Sequence, residues 1–224
     1  MIILGLTGSI GMGKSTASTM FRRMGVPVYD SDASVHIVLG KCGAAVKPID
    51  AAFPGVVSDG AVDRDALGKR VFGDDAALKA LESIVHPLVR EVQDNFLKGC
   101  AVRRVPLVVL DIPLLFEAKL DVRCDAAVVV SAPGFLQKAR VLARTGMTQE
   151  KFDGILARQM PDAIKRRRAD FVVPSGCGKA ETLHHLSRIV KLIKQAPATH
   201  WPPDAYAERN VDRRSTYARA RPRY

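Results

Sequence analysis

Residues Gly8-Ser9-Ile10-Gly11-Met12-Gly13-Lys14-Ser15 spell the pattern G-x-x-x-x-G-K-[ST] between an apolar run and a helical pattern, and few folds can accommodate that order. Met1-Ile2-Ile3-Leu4-Gly5-Leu6 is nearly all apolar, as a strand buried on both faces must be, while Ala17, Met20, Phe21 and Met24 recur at helical spacing. Between them the glycines tolerate positive φ, so successive backbone N–H groups can face one point. The following helix turns the positive end of its dipole toward the same point. Polyphosphate is the natural occupant. Lys14 is placed to reach β- and γ-phosphates, Ser15 to ligate Mg²⁺, and Thr16 to add a hydroxyl beside a nucleotide. Gly11, Met12 and Gly13 supply the backbone of that cradle.

The 224 residues suffice for one well-buried α/β domain with insertions, or two small domains, and a hydrophobic content of 47% is ordinary. No apolar run is long enough to cross a bilayer, and no basic region precedes the opening run, which reads as a core strand rather than a signal peptide. Cys42, Cys100, Cys124 and Cys177 lack metal-ligand spacing and suit a reducing compartment, so a cytoplasmic protein without structural zinc is expected. The net charge of +11 favours anionic partners without saying which. It concentrates at Lys165-Arg166-Arg167-Arg168 and in a tail with Arg209, Arg213, Arg214, Arg219, Arg221 and Arg223. Neither cluster carries a nucleic-acid motif, so a solvated face and a disordered end are expected.

Further strand-like runs follow at Val26-Pro27-Val28-Tyr29-Asp30, Leu107 to Leu110, Ala126 to Val130 and Phe171 to Val173, with helical patterns between them. This predicts an α/β fold, a parallel five-stranded sheet with helices on both faces. Core segments are expected at 1–35, 106–134 and 166–195. The stretch at about 36–105 is too long for one crossover and reads as a helical substrate subdomain, and about 135–165, broken at Gly146, reads as a mobile helical lid. Within the subdomain Leu78, Leu81, Ile84, Val85, Leu88, Val89 and Val92 mark one long helix. The last helix carries Leu183, Leu186, Val190 and Ile193, and residues 196–224 form a basic tail expected to lack order.

Ligands of open α/β sheets bind at strand C-termini, where Asp30-Ser31-Asp32 falls. Asp32 is the candidate general base for an acceptor hydroxyl, with Asp30 orienting it or joining the Mg²⁺ shell; both could instead merely cap the next helix. Asp111 closes a hydrophobic run and is a second candidate near Mg²⁺, or a simple turn acid. Arg140 and Arg144, four apart, would share a helix face and neutralise charge on a transferred phosphoryl, or lie solvated. His86-Pro87 and Arg90 read by default as a buried histidine or a helix interruption. These residues suit phosphoryl transfer to a small hydroxyl acceptor. Another small-molecule kinase, or a nucleic-acid-associated NTPase suggested by the charge, are the alternatives.

The order of the pieces is more specific. The phosphate loop, Asp30-Ser31-Asp32, Leu81-Glu82-Ser83-Ile84-Val85-His86-Pro87-Leu88-Val89-Arg90, Asp111-Ile112-Pro113-Leu114-Leu115-Phe116-Glu117 and Arg158-Gln159-Met160-Pro161 form one series that resembles the dephospho-coenzyme A kinases over residues 1–194. The resemblance implies a phosphate-loop kinase fold with a helical substrate domain and a lid. It implies transfer of the γ-phosphoryl of ATP, with Mg²⁺, to the ribose 3′-hydroxyl of dephospho-coenzyme A, the last step of coenzyme A synthesis. It also implies a base at Asp32, ATP at Gly11 through Thr16, lid arginines at Arg140 and Arg144, and substrate contacts around His86, Arg90, Leu114, Leu115 and Glu117. A monomer needing neither membrane nor nucleic acid is expected. The chain departs from the family pattern at Ser31, at Ile164 and at Pro174-Ser175-Gly176.

Overall fold

The computed structural model describes residues 1–202. The first half of the chain runs β1 (Ile2–Thr7), α1 (Lys14–Arg23), β2 (Val28–Asp30), α2 (Ser31–Leu39), α3 (Val46–Ala52), β3 (Val57–Ser58), β4 (Ala61–Val62), α4 (Arg64–Val71) and α5 (Asp75–Val102). There follow β5 (Leu107–Asp111), β6 (Ala126–Ser131), α6 (Gly134–Leu142), α7 (Gln149–Ala157), α8 (Asp162–Arg168), β7 (Phe171–Pro174) and α9 (Lys179–Ile193). Two compact units result among the described residues, one of residues 1–29 with 103–202, the other of residues 30–102.

The first unit holds the parallel sheet, in the order β2-β5-β1-β6-β7. All five expected strands are present. β1 lies at the centre, with Leu4 opposite Val109 on β5 and Ala126 on β6. Alternation along β1 divides the core: Ile2, Leu4 and Leu6 pack with Ala17, Met20 and Phe21 of α1 and Leu186, Ile189 and Ile193 of α9. Phe21 is fully buried there, worth about 2–3 kcal/mol relative to an exposed side chain. On the opposite face, Gly5 has no room for a Cβ, which would stand 2.8 Å from Leu115 Cδ2 and 3.0 Å from Cys124 Sγ. The 135–165 segment forms α6, α7 and the first turn of α8.

Beyond α9 the chain stays on the core, which corrects the expectation that order ends at residue 196. Ala196 and Ala198 pack against the apolar cluster, and Asp125 Oδ1 accepts hydrogen bonds from the backbone N–H of Thr199 (2.6 Å) and His200 (3.1 Å). Thr199 Oγ1 donates to the same oxygen at 2.8 Å, and His200 Nδ1 lies 3.0 Å from it. Asp125 Oδ2 meanwhile accepts from the N–H of Ile3 at 2.7 Å. A buried carboxylate thus supplies the order that apolar periodicity did not announce. The arginine-rich stretch from Arg209 on lies outside the described residues.

The second unit is helical, with Val38, Leu39, Val46, Ile49, Phe53, Val62 and Leu67 as its core and the apolar stripe of α5 packed against it. It also contains a two-residue hairpin, β3 with β4, turning on Asp59 (φ 49°) and Gly60 (φ 76°). Asp-Gly is a strong signal for that turn. α5 runs unbroken through Pro87. The ring lies on the exposed face, and packing of Ile84, Val85, Leu88 and Val89 on either side holds the helix together despite the missing N–H.

Candidate active site

The phosphate loop joins β1 to α1 in the first unit. Gly13, at φ 94°, precedes the first residue of α1, and the helix has no acid in its first turn, so the positive charge at its N-terminus is not cancelled locally. Gly11, at φ 75°, could take no side chain: a Cβ would lie 2.5 Å from Val141 Cγ2 and 2.9 Å from the carbonyl of Gln137. The side chain of Met12 is buried, and its Sδ accepts from the N–H of Ala132 at 3.1 Å, so Met12 offers the site backbone alone. Lys14 opens α1 and its Nζ lies 2.6 Å from Asp111 Oδ1 at the end of β5. Asp111 is almost wholly buried and Lys14 is not. An ammonium has three donors, so this pair leaves Lys14 able to meet phosphate oxygens. Ser15 and Thr16 are exposed on the first turn.

Side chains from distant elements hold the loop. Ile10 donates its N–H to Gln159 Oε1 at 3.0 Å, and its carbonyl accepts from Gln137 Nε2 at 2.8 Å. The carbonyl of Met12 accepts from Ser175 Oγ at 2.6 Å. Arg140 on α6 donates through Nη1 to Ser175 Oγ (3.1 Å) and Gly11 O (3.4 Å), and through Nη2 to Ser175 O (2.7 Å). Arg144 does not share its helix face as spacing suggested. α6 stops at Leu142, the N–H of Arg144 closes a tighter turn onto Val141 O at 3.0 Å, and Arg144 is exposed in the connection to α7.

The segment after β5 is anchored from two sides. Thr7 Oγ1 donates to Pro113 O at 2.9 Å, and Lys165 Nζ donates to the same carbonyl at 3.2 Å and pairs with Glu117 Oε1 at 2.9 Å. Met160 donates its N–H to Glu117 Oε1 at 2.8 Å. Burial alone would push the Glu117 carboxyl up, but the bonds from Lys165 and Met160 outweigh it and hold it below its usual range. Glu117 is therefore engaged within the protein. Leu114 is exposed, whereas Leu115 is fully buried against Gly5, so Leu115 packs the core and has no surface for a substrate. Lys165, expected on a solvated face, is likewise fully buried.

In the second unit Asp30 caps α2, accepting from the N–H of Ala33 at 3.0 Å, and Asp32 is exposed in the first turn. His86 and Arg90 are exposed one turn apart on α5, rather than buried. Gln137, Gln159, Ser175 and Lys165 had no role assigned from sequence. A glutamine three and four residues before Arg140 and Val141 on one helix face was a readable sign for Gln137. Among the described residues no three of His, Cys, Asp and Glu group into a metal cage, and no helix is long and apolar enough to cross a membrane.

Residues 2–180 match the family model described as dephospho-CoA kinase. Over 194 residues the chain is 62% identical to the dephospho-CoA kinase of Paramagnetospirillum magneticum, covering 87% of this chain and 92% of that protein. It is 54% identical over 187 residues to the one from Rhodospirillum rubrum, covering 83% and 88%. A crystal structure of TT1252 from Thermus thermophilus superposes with a TM-score of 0.76 at 37% identity, over 85% of this chain and 96% of that one.

Proposed function

The chain belongs to the dephospho-CoA kinase family and is an ATP-dependent kinase, and on that premise we propose that it transfers the γ-phosphoryl of ATP to the ribose 3′-hydroxyl of dephospho-coenzyme A at the phosphate loop. The observation that carries the site assignment is the pairing of Lys14 at the start of α1 with buried Asp111 at the end of β5. It sets a cation and an anion beside the ring of N–H groups that would receive the polyphosphate.

In this reading the loop N–H groups and Lys14 hold the β- and γ-phosphates, and Arg140, already tethered beside Gly11, adds positive charge where the transferred group becomes more anionic. The Arg144 guanidinium reaches the same phosphates when α7 and its connection to α6 close as a lid. Asp32, just past the C-terminal end of β2, takes the proton of the 3′-hydroxyl as its oxygen bonds to phosphorus and ADP leaves in line. Asp30 holds the start of α2 in place through its cap. The residues fit Mg²⁺: a hard cation takes one or two protein oxygens beside substrate phosphates, and Ser15 Oγ with the Asp111 carboxylate would supply them. The ion would neutralise phosphate charge. Residues 30–102 take the acceptor, with His86 and Arg90 on its anionic groups and exposed Leu114 against an apolar part. The enzyme works in the cytoplasm, as a monomer, on small molecules and without nucleic acid.

The direct test is ADP release from MgATP with and without dephospho-coenzyme A, with the product checked by mass and phosphate position. Acceptor-dependent formation of the 3′-phosphorylated product is expected; ATP binding without turnover on this acceptor would overturn the substrate assignment. For Asp32→Asn, MgATP binding persists while turnover drops at least about a hundredfold. Near-normal turnover would remove Asp32 as the base.

A further inference from the structure

Two carbonyls of the phosphate loop are held by side chains from outside the loop. Gln137 Nε2 holds the carbonyl of Ile10 and Ser175 Oγ holds that of Met12. Both side chains are nearly buried, at 7% and 9% exposure, so water competes weakly for these bonds. In a trans peptide the C=O and the N–H point in opposite directions. Holding the Ile10 carbonyl toward Gln137 therefore aims the N–H of Gly11 away from Gln137, and holding the Met12 carbonyl toward Ser175 aims the N–H of Gly13 away from Ser175. Among the described residues neither glycine N–H donates to a backbone carbonyl.

We propose that Gln137 and Ser175 are positioning residues of the phosphate loop, each fixing the orientation of one X-Gly peptide so that an N–H rather than a carbonyl faces the bound nucleotide. The need arises from the glycines. Gly11 and Gly13 reach φ of 75° and 94°, and a peptide next to glycine can rotate with little steric penalty. A rotated peptide would present a carbonyl oxygen to a phosphate oxygen, turning an attraction into a repulsion. Ser175 also joins this device to Arg140, whose two guanidinium nitrogens bond to its Oγ and its carbonyl. The pin on Met12 and the cation beside Gly11 thus share one anchor, and the N–H of Ser175 ties that anchor to β6 through Ser131 O at 2.8 Å.

The proposal rests on the reading of this loop as the ATP site, and its test separates the two. In Ser175→Ala and Gln137→Met, each checked for folding by thermal melting, MgADP affinity is measured by titration calorimetry and KM is measured for both substrates. Each variant should weaken MgADP binding and raise KM for ATP about tenfold, the scale of one buried hydrogen bond, with KM for dephospho-coenzyme A unchanged. Ser175→Ala removes a single buried oxygen and decides the question alone should Gln137→Met not fold. Unchanged MgADP affinity in folded Ser175→Ala overturns the proposal, and so does an equal loss for both substrates, which would mark a general packing role. Lys14→Ala is the reference: if it binds MgADP like the parent, the loop is not the ATP site and the proposal falls with that reading. If Lys14→Ala loses affinity while Ser175→Ala does not, only the positioning role fails.

Discussion

The two ends of the parallel sheet both carry buried aspartates, and they are partnered in opposite ways. At the C-terminal end Asp111 pairs with a long, partly exposed side chain, Lys14, at 2.6 Å. At the other end Asp125 is consumed by the N–H groups of Ile3, Thr199 and His200 together with two side chains, and Asp170 accepts the N–H of Ala127 at 2.8 Å. A carboxylate held by backbone cannot change partners without local unfolding. One held by a flexible ammonium can, because Lys14 can move to a phosphate while Asp111 stays in place. Residue type and burial are the same at both ends. Partner type separates a group available for chemistry from one that ties the chain together.

Substitutions at the two ends should therefore fail differently. Lys14→Ala should lower turnover about a hundredfold to a thousandfold, and Asp111→Asn about tenfold to a hundredfold, both with melting midpoints close to the parent. A large loss of thermal stability in Asp111→Asn would erase the distinction. Asp125→Ala should do the reverse, losing about 1–3 kcal/mol of stability, and about 2–4 °C of melting midpoint for each kcal/mol, with turnover per folded molecule unchanged. Differential scanning calorimetry beside initial rates reads both quantities on one preparation.

Acidity offers a gentler probe of the same contrast. Burial tends to raise the Asp125 carboxyl, but bonds from His200, Ile3 and Thr199 overcome this and leave it below its ordinary value of 3.8. A carboxyl whose folded value is depressed contributes stability above its unfolded value and loses it as pH falls through the folded one. Glu117, depressed from 4.5 by Lys165 and Met160 against its own burial, has the same sign. Unfolding free energy should thus fall as pH drops below about 4, and Asp125→Asn should flatten that slope. An unchanged slope would remove Asp125 from the account. The smallest effect is expected from truncation: a chain ending at residue 202 should keep its melting midpoint and turnover, whereas one ending at 195 should melt lower because Thr199 and His200 are gone.

Much of this architecture could be read before any coordinates. The five strands declared themselves by Val- and Leu-rich runs, and the loop by glycine and lysine at fixed offsets, because both signals are local. The failures share a cause. Lys165 stands among arginines and reads as solvent-facing, yet its partners Glu117 and Pro113 are about fifty residues away, and only Ala169 one turn on, also buried, hinted at an inward face. Leu115 lies in a segment with the right motif, but its burial depends on Gly5, far upstream. The end of α6 before Arg144 is set by a tight turn rather than by any break in the apolar pattern. The Asp59-Gly60 hairpin was written locally and was missed because helical patterns dominate its surroundings.

The position of β1 has a consequence for synthesis. It is the middle strand of the sheet and is made before both of its neighbours, which come from beyond residue 106. At ordinary elongation rates the ribosome needs on the order of ten seconds to deliver them. During that interval the apolar strand Ile2 to Leu6 has α1 for cover on one face and no sheet partner on either edge, so nascent-chain chaperones should engage this strand until β5 and β6 arrive.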